Sequence, residues 1–250
     1  MVIKGGFTIY PAIDLRQGKV VRLQQGDLKR QTVYGDDPAA TARRWLESGA
    51  SWLHVVNLDG AFGEADAANR QALAEILEVA AEHDARVQFG GGMRSLVDVG
   101  RALEMGVARA VLGTLAAEQP EVLQAGVRRF GAESLAAGLD AREGLVRVRG
   151  WAQATNLRAV DLARQMAALG LRWLVFTDVA RDGVGSGLNL ESTLELAHSS
   201  GLNVIASGGV DSLDDVQRAR KTGLPGVIVG RALYEGKIDP TELFIEDKSG

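Results

Sequence analysis

Cysteine is absent from the 250 residues, which excludes disulfides, thiol nucleophiles and thiolate metal sites. No apolar run reaches 18 residues, so no transmembrane helix is expected. The charged, glycine-containing start (Lys4, Gly5, Gly6) does not read as a secretory signal. Basic charge is not in excess either: 28 Lys and Arg stand against 32 Asp and Glu, and a net charge of −4 offers nucleic acid no general attraction. Any anion must therefore be bound locally. Histidine occurs three times, and no His/carboxylate spacing suggests a metal. A soluble, cytoplasmic chain is expected, with neither nucleic acid nor membrane as partner.

What the sequence does contain is a repeat. Phe89-Gly90-Gly91-Gly92 returns 117 residues later as Ala206-Ser207-Gly208-Gly209. Laid without gaps, residues 88–116 and 205–233 share ten of 29 positions, among them Gly91/Gly208, Gly92/Gly209, Ser95/Ser212 and Gly113/Gly230, where unrelated segments would share roughly two. Each copy reads strand, Gly-Gly, Ser-capped helix, glycine turn, second strand, glycine, and so forms a β-α-β unit. Glycine after a strand can simply make a tight turn. Paired glycines also let successive backbone N–H groups converge on an anion at the N-terminus of the following helix. Two matched copies favour the second use. Two phosphate sites related by a pseudo-twofold are expected, one at Gly91, Gly92, Gly113 and Thr114, the other at Ser207, Gly208, Gly209, Gly230 and Arg231.

Taken in order, the chain offers eight short β-rich runs: 7–13, 52–57, 86–89, 108–112, 134–139, 172–177, 203–206 and 226–229. The first stops at Asp14 and the fifth at Asp140. Residues 15–37 read as a long polar excursion and 142–151 as a polar, hairpin-like loop, while Asp59-Gly60 and 182–187 open further glycine-rich loops. Asp37-Pro38 opens a helix that Gly49 stops, and further helices are expected at 69–82, after Pro120, at 157–169 and at 190–199. Short, near-continuous hydrophobic strands separated by helices call for a parallel sheet covered on the outside. The internal repeat selects a single (β/α)8 barrel, with half-barrels of roughly 1–130 and 131–250, over a doubly wound sheet.

In such a barrel the strand C-termini share one face, so Asp14 and Asp140, from diametrically opposed strands, would meet across one bowl as a general acid and base. A lone strand-ending aspartate usually just caps a turn. A matched pair points to chemistry. His54 lies inside the second strand and reads as a hydrogen-bonded wall residue, whereas His83 and His198 fall near helix ends at the surface.

The segments PAIDL (11–15), GKVVRL (18–23), QGD (25–27), VYGDDP (33–38), GGGMRS (90–95), GLDAREG (138–144), TDVARDG (177–183), ASGGV (206–210) and VGRALYEGK (229–237) resemble the phosphoribosylformimino-5-aminoimidazole carboxamide ribotide isomerase family of histidine biosynthesis. Nine motifs in order cover nearly the whole chain. The resemblance implies a (β/α)8 barrel and a cofactor-free Amadori rearrangement of an aminoaldose to an aminoketose, on a substrate with a phosphate at each end. It implies Asp14 as the base at sugar C2 and Asp140 as the acid at the ring oxygen, with Thr177 and Asp182 assisting. Arg22, Arg94 and Trp151 match positions that touch substrate, and Arg149 shares the Trp151 loop. Asn57, Val184 and Leu188 depart from the family's usual Asp, Thr and Pro. Related readings are a dual-substrate isomerase that also takes phosphoribosylanthranilate, and the cyclase subunit of imidazole glycerol phosphate synthase. A barrel that only binds sugar phosphates would keep the glycines but need neither acid. A monomeric, single-substrate enzyme is expected.

Overall fold

The computed structural model describes residues 6–151 and 153–245; the start at Lys4 and Gly5 lies outside them. The strands are β1 (Thr8–Arg16), β2 (Lys19–Gln24), β3 (Asp27–Gly35), β4 (Trp52–Asn57), β5 (Arg86–Gly90), β6 (Arg109–Leu112), β7 (Leu135–Arg142), β8 (Leu145–Val148), β9 (Gln153–Arg158), β10 (Trp173–Asp178), β11 (Asn203–Ser207) and β12 (Gly226–Val229). Eight of them, in the order β1-β4-β5-β6-β7-β10-β11-β12, pair in parallel and close back on β1. This is the expected (β/α)8 barrel.

Both faces of its strands are buried, which is why they read as unbroken apolar runs. Ile9, Ile13, Leu53, Val55, Val87 and Phe89 pack outward, in a core shared with the surrounding helices. Tyr10, Ala12, Val111, Ala136, Val175, Ile205 and Ile228 form a separate, smaller cluster inside the barrel. Several helices start where their sequences say, but the one expected from 157 begins at Ala159, because Leu157 and Arg158 belong to β9, and the one expected from 69 begins at Ala67. Asp37 accepts from the Ala40 N–H at 2.8 Å ahead of helix Pro38–Glu47. The repeated serines act alike: Ser95 caps Leu96–Glu104 through the Asp98 N–H, and Ser212 caps Leu213–Lys221 through the Asp215 N–H. Pro11 is the last residue in register with β12, after which β1 pairs with β4, so its missing N–H falls where the strand changes partner. Among the described residues no helix is long and apolar enough to cross a membrane.

Three expectations are corrected. The first and fifth barrel strands do not stop at their aspartates but run two residues further, to Arg16 and Arg142. The polar stretches that follow are not loops: β2 and β3 extend β1 as an antiparallel pair, and β8 and β9 extend β7 in the same way. The reason is turn chemistry. Gln17-Gly18 (φ 51° and 74°) and Glu143-Gly144 (φ 54° and 76°) each hold two successive positive φ angles, the geometry of a two-residue hairpin turn that matches strand twist. Gln25-Gly26 and Arg149-Gly150 repeat it at the next corner. A third correction concerns Asp59-Gly60, which lies in a short helix, Leu58–Phe62, capped by Asn57.

The seam that closes the barrel leaves no room at Gly226, where a methyl group would overlap the Thr8 carbonyl oxygen and reach 2.9 Å from the Tyr10 ring. Gly226→Ala is expected to cost about 1–3 kcal/mol as overpacking, a fall in Tm of about 3–10 °C for a chain this size. Gly6→Ala, with nothing nearby to meet, should leave the melting curve in place. Equal Tm values for the two variants in calorimetry would contradict the tight seam.

Candidate active site

The C-terminal ends of the strands open onto a cavity of about 580 Å3. Asp14, Arg22, Asp140, Thr177 and Asp182 line it, as do Gly91, Gly92, Arg94, Gly113, Thr114, Arg149, Trp151 and Ser207. Gly208, Gly209, Gly230 and Arg231 line a small adjoining pocket that shares Arg22, Asp182 and Ser207 with the larger one. The structure therefore gathers every candidate catalytic and substrate-binding residue at one end of the barrel.

Asp14 sits in β1 opposite Val21, and the hairpin returns Arg22 so that its Nη1 lies 2.8 Å from Asp14 Oδ2. Only 15% of the Asp14 side chain stays accessible. Burial pushes its carboxyl up to about 6; Arg22 opposes that rise, and the negative charge of Asp182 adds to it. Asp140 occupies the matching place in β7, opposite Arg147. Burial raises its pKa as well, here opposed by hydrogen bonds with Trp151 and Thr177 and reinforced again by Asp182. Asp182 is itself raised by burial, with Arg22 and Arg231 pulling the other way. Three carboxyls thus share a mouth with one buried guanidinium, and Asp182 couples electrostatically to both of the others. Such a set titrates as a unit.

The paired glycines serve close backbone approach as well as left-handed backbone. Gly91 (φ +96°) leaves no space for a methyl group beside the Asn57 carbonyl, and Gly208 (φ +87°) would bring one to 2.9 Å from the Asp178 carbonyl. Gly113 (φ −88°, ψ −97°) and Gly230 (φ −110°, ψ −106°) adopt nearly the same unusual conformation, each just before a short helix.

The tip of the β8–β9 hairpin folds inward. The Arg149 N–H donates to Thr114 Oγ1 at 3.0 Å, and its guanidinium pairs with Glu118 at 3.1 Å. Gly150 lies against the Phe62 ring, and the Trp151 ring covers Gly26 at the tip of the opposite hairpin. The Gln25 N–H and side chain donate to the Asp182 and Ala180 carbonyls, which ties that hairpin to the loop after β10. Phe62 and Glu118 were not foreseen from sequence. The four X-Gly pairs at positive φ were the available signal, because they bring both hairpins over the bowl. His54 also lines the cavity and is buried, whereas His83 is half-buried at a helix end and His198 is exposed.

A family model described as histidine biosynthesis protein matches residues 8–239. The chain belongs to that family. It is 47% identical over 239 residues to the 1-(5-phosphoribosyl)-5-((5-phosphoribosylamino)methylideneamino)imidazole-4-carboxamide isomerase of Desulfitobacterium hafniense strain Y51, covering 94% of each chain. It is 45% identical over 244 residues to the enzyme of the same name from Syntrophomonas wolfei, covering 96% of this chain and 98% of that one. The enzyme of that name from Symbiobacterium thermophilum is 47% identical over 237 residues, with 94% of each chain covered.

Of the departures noted in the sequence, Asn57 has a local explanation. The Asn57 amide donates to Asp66 Oδ2 at 2.7 Å while its oxygen accepts from Gly60 N–H and Asn69 Nδ2, a set that aspartate at this position could not complete. Leu188 is buried in the outer core. Val184 is exposed, and its carbonyl accepts from Arg231 Nη2 at 3.4 Å.

The raised pKa of Asp14 fixes the sign of a stability effect. Its folded value of about 6 lies above the 3.8 of an unperturbed aspartate, so its burial costs nothing below about pH 4 and reaches its full cost above pH 6. Asp14→Asn, which leaves Arg22 with Asp182 as counter-charge, should gain on the parent by at most about 3 kcal/mol as pH rises from 4 to 7. Urea titrations at the two pH values check this; a difference between variant and parent that stays constant, or moves in the parent's favour, from pH 4 to pH 7 would contradict it.

Proposed function

We propose that the chain is an aldose–ketose isomerase that carries out the Amadori rearrangement named for its relatives, with Asp14 and Asp140 as base and acid. The observation that carries the residue roles is the placing of two raised carboxyls, with different partners, in one cavity. A carboxyl near 6 beside a guanidinium is largely ionised at neutral pH yet basic enough to accept a proton, while the Asp140 carboxyl, raised by burial and held by hydrogen bonds with Trp151 and Thr177 rather than by an ion pair, sits in surroundings that suit a proton donor.

The chemistry follows from that difference. Asp140 protonates the ring oxygen of the aminoaldose as the C1–O bond breaks, and the nitrogen lone pair forms a C1=N iminium. Asp14 then takes the C2 proton, and the electron pair moves into the C1–C2 bond to give an enolamine. Protonation at C1 and loss of the enol proton give the aminoketose, with no net gain or loss of atoms. The substrate's own iminium is the electron sink, so the reaction calls for no cofactor. The two glycine-lined ends suit a ligand with a phosphate at each end, held by backbone N–H groups with Arg94 at one side and Arg231 at the other. Thr177 and Trp151 keep Asp140 oriented.

Asp14→Asn and Asp140→Asn are each expected to lower single-turnover rates by about 10²–10⁴-fold while substrate still binds. Either variant within threefold of the parent would remove it from the mechanism. The acid limb of kcat/KM should follow Asp14, activity rising with pH through about 6. Asp182→Asn removes a like charge and should move that limb to lower pH; no shift in the profile, or a shift upward, would break the coupling. On specificity, phosphoribosylanthranilate carries one phosphate and leaves the second end empty, forfeiting charge-assisted bonds of about 1.5–3 kcal/mol each. Its kcat/KM should lie more than tenfold below that of the doubly phosphorylated imidazole substrate, and near-equal values would make the enzyme dual-substrate.

A further inference from the structure

The interior of the barrel is mostly apolar, but one row of it is not. His54, Gln88 and Arg109 stand in register on the neighbouring strands β4, β5 and β6, and all three are buried. The row begins at the cavity, which His54 lines. It ends beneath, where the Arg109 guanidinium lies 3.9 Å from the ring centroid of Trp173 and 4.7 Å from that of Trp52, and donates from Nε to the Glu133 carbonyl at 3.3 Å. The Glu133 carboxylate accepts from Trp173 Nε1 at 2.7 Å, which steadies one of the two rings. A guanidinium at this depth is costly, none of these partners of Arg109 is a carboxylate, and an apolar residue would fill the space with less penalty.

The hydrogen-bond logic of the row leaves one arrangement. Arginine only donates, so its 3.2 Å contact with Gln88 must be to the amide oxygen, Oε1. The amide NH2 then faces His54 Nδ1 at 3.0 Å. An NH2 group only donates, so Nδ1 must be unprotonated, and the single proton of a neutral imidazole must sit on Nε2. Protonating Nδ1 as well would set two hydrogens against each other. We propose, building on the isomerase reading, that Arg109 is a positioning residue: acting through Gln88, it locks His54 as the neutral Nε2–H tautomer, a fixed donor to a substrate oxygen at the floor of the cavity. Without the guanidinium the Gln88 amide can turn over, present Oε1 to His54, and draw the proton to Nδ1.

Because the chain holds only three histidines, the test is direct. Protein carrying 15N-labelled histidine is studied by NMR at pH 7.5, with His54→Gln assigning the His54 signals. The parent should show a single His54 tautomer with Nδ1 bare and Nε2 protonated. Arg109→Met should mix the tautomers or invert them and lower kcat/KM for the imidazole substrate about two- to tenfold, chiefly through KM. Arg109→Lys, which keeps a donor for Oε1, should restore the parent tautomer. Gln88→Glu is nearly isosteric and serves even if Arg109→Met does not fold; its carboxylate should accept from Nδ1–H and so move the proton. An Nδ1–H tautomer in the parent, or an unchanged Nε2–H tautomer in Arg109→Met or Gln88→Glu, would overturn the assignment. These spectra are read without substrate, so they stand or fall separately from the isomerase activity.

Discussion

Closing an eight-stranded parallel sheet on itself forces every second side chain of every strand into one shared interior, and much of this molecule follows from that geometric constraint. Apolar residues such as Val111, Val175 and Ile228 fill the middle of that interior. At its upper end the strands diverge, and residues far apart in sequence, Asp14 and Asp140 among them, line one cavity. The same closure brings the loops after neighbouring strands so near each other that Gly91 and Gly208 must pass the backbone at Asn57 and Asp178 without a side chain. The glycines that prepare anion sites are thus also the residues that let the mouth of the barrel close.

The charges at that mouth are arranged against stability. Asp14, Asp140 and Asp182 all have their carboxyls raised by burial, and Arg22 is the cation in contact with the first of them. A site selected for stability alone would neutralise these groups in pairs. Leaving three carboxyls to one buried guanidinium holds all three above the ordinary carboxylate range, which suits the acid–base chemistry proposed for the site. The two antiparallel extensions serve the same end: β2 brings Arg22 back onto Asp14, and the turn after β8 brings Trp151 onto Asp140. Each half of the barrel thus holds its aspartate with a hairpin, by an ion pair in one case and by hydrogen bonds in the other.

The barrel was legible because its strands are short, apolar and separated by well-capped helices, and because Ser95/Ser212 and Gly113/Gly230 mark the repeat. The span of β4 and β12 could be read to the residue, since glycine or polar neighbours bound them sharply. The hairpins are not legible in the sequence because their polarity reads as a loop signal. β3 is exposed along most of its length and carries no buried face, so only the positive-φ pairs Gln17-Gly18 and Gln25-Gly26 betray it. The aspartates could be found from sequence as a matched pair, but their electrostatic coupling could not, because Asp182 reaches them from a loop whose path depends on Gln25 and Arg231. The row from His54 to Arg109 was equally hidden: nothing local to Gln88 announces that it lies between two strands carrying its partners.

The central claim is that a carboxylate removes the C2 proton and that a proton, not a hydride, reaches C1. Turning over the imidazole aminoaldose in D2O and locating the label in the product by NMR tests it most directly. Proton transfer through the water-accessible edge of Asp14 predicts one solvent deuterium at C1 of the aminoketose, and in the converse experiment loss of a C2 deuterium to H2O. Complete retention of the C2 hydrogen at C1, with no solvent label in the product, is the outcome of an intramolecular hydride shift and would contradict the solvent-exchanging proton transfer given to Asp14.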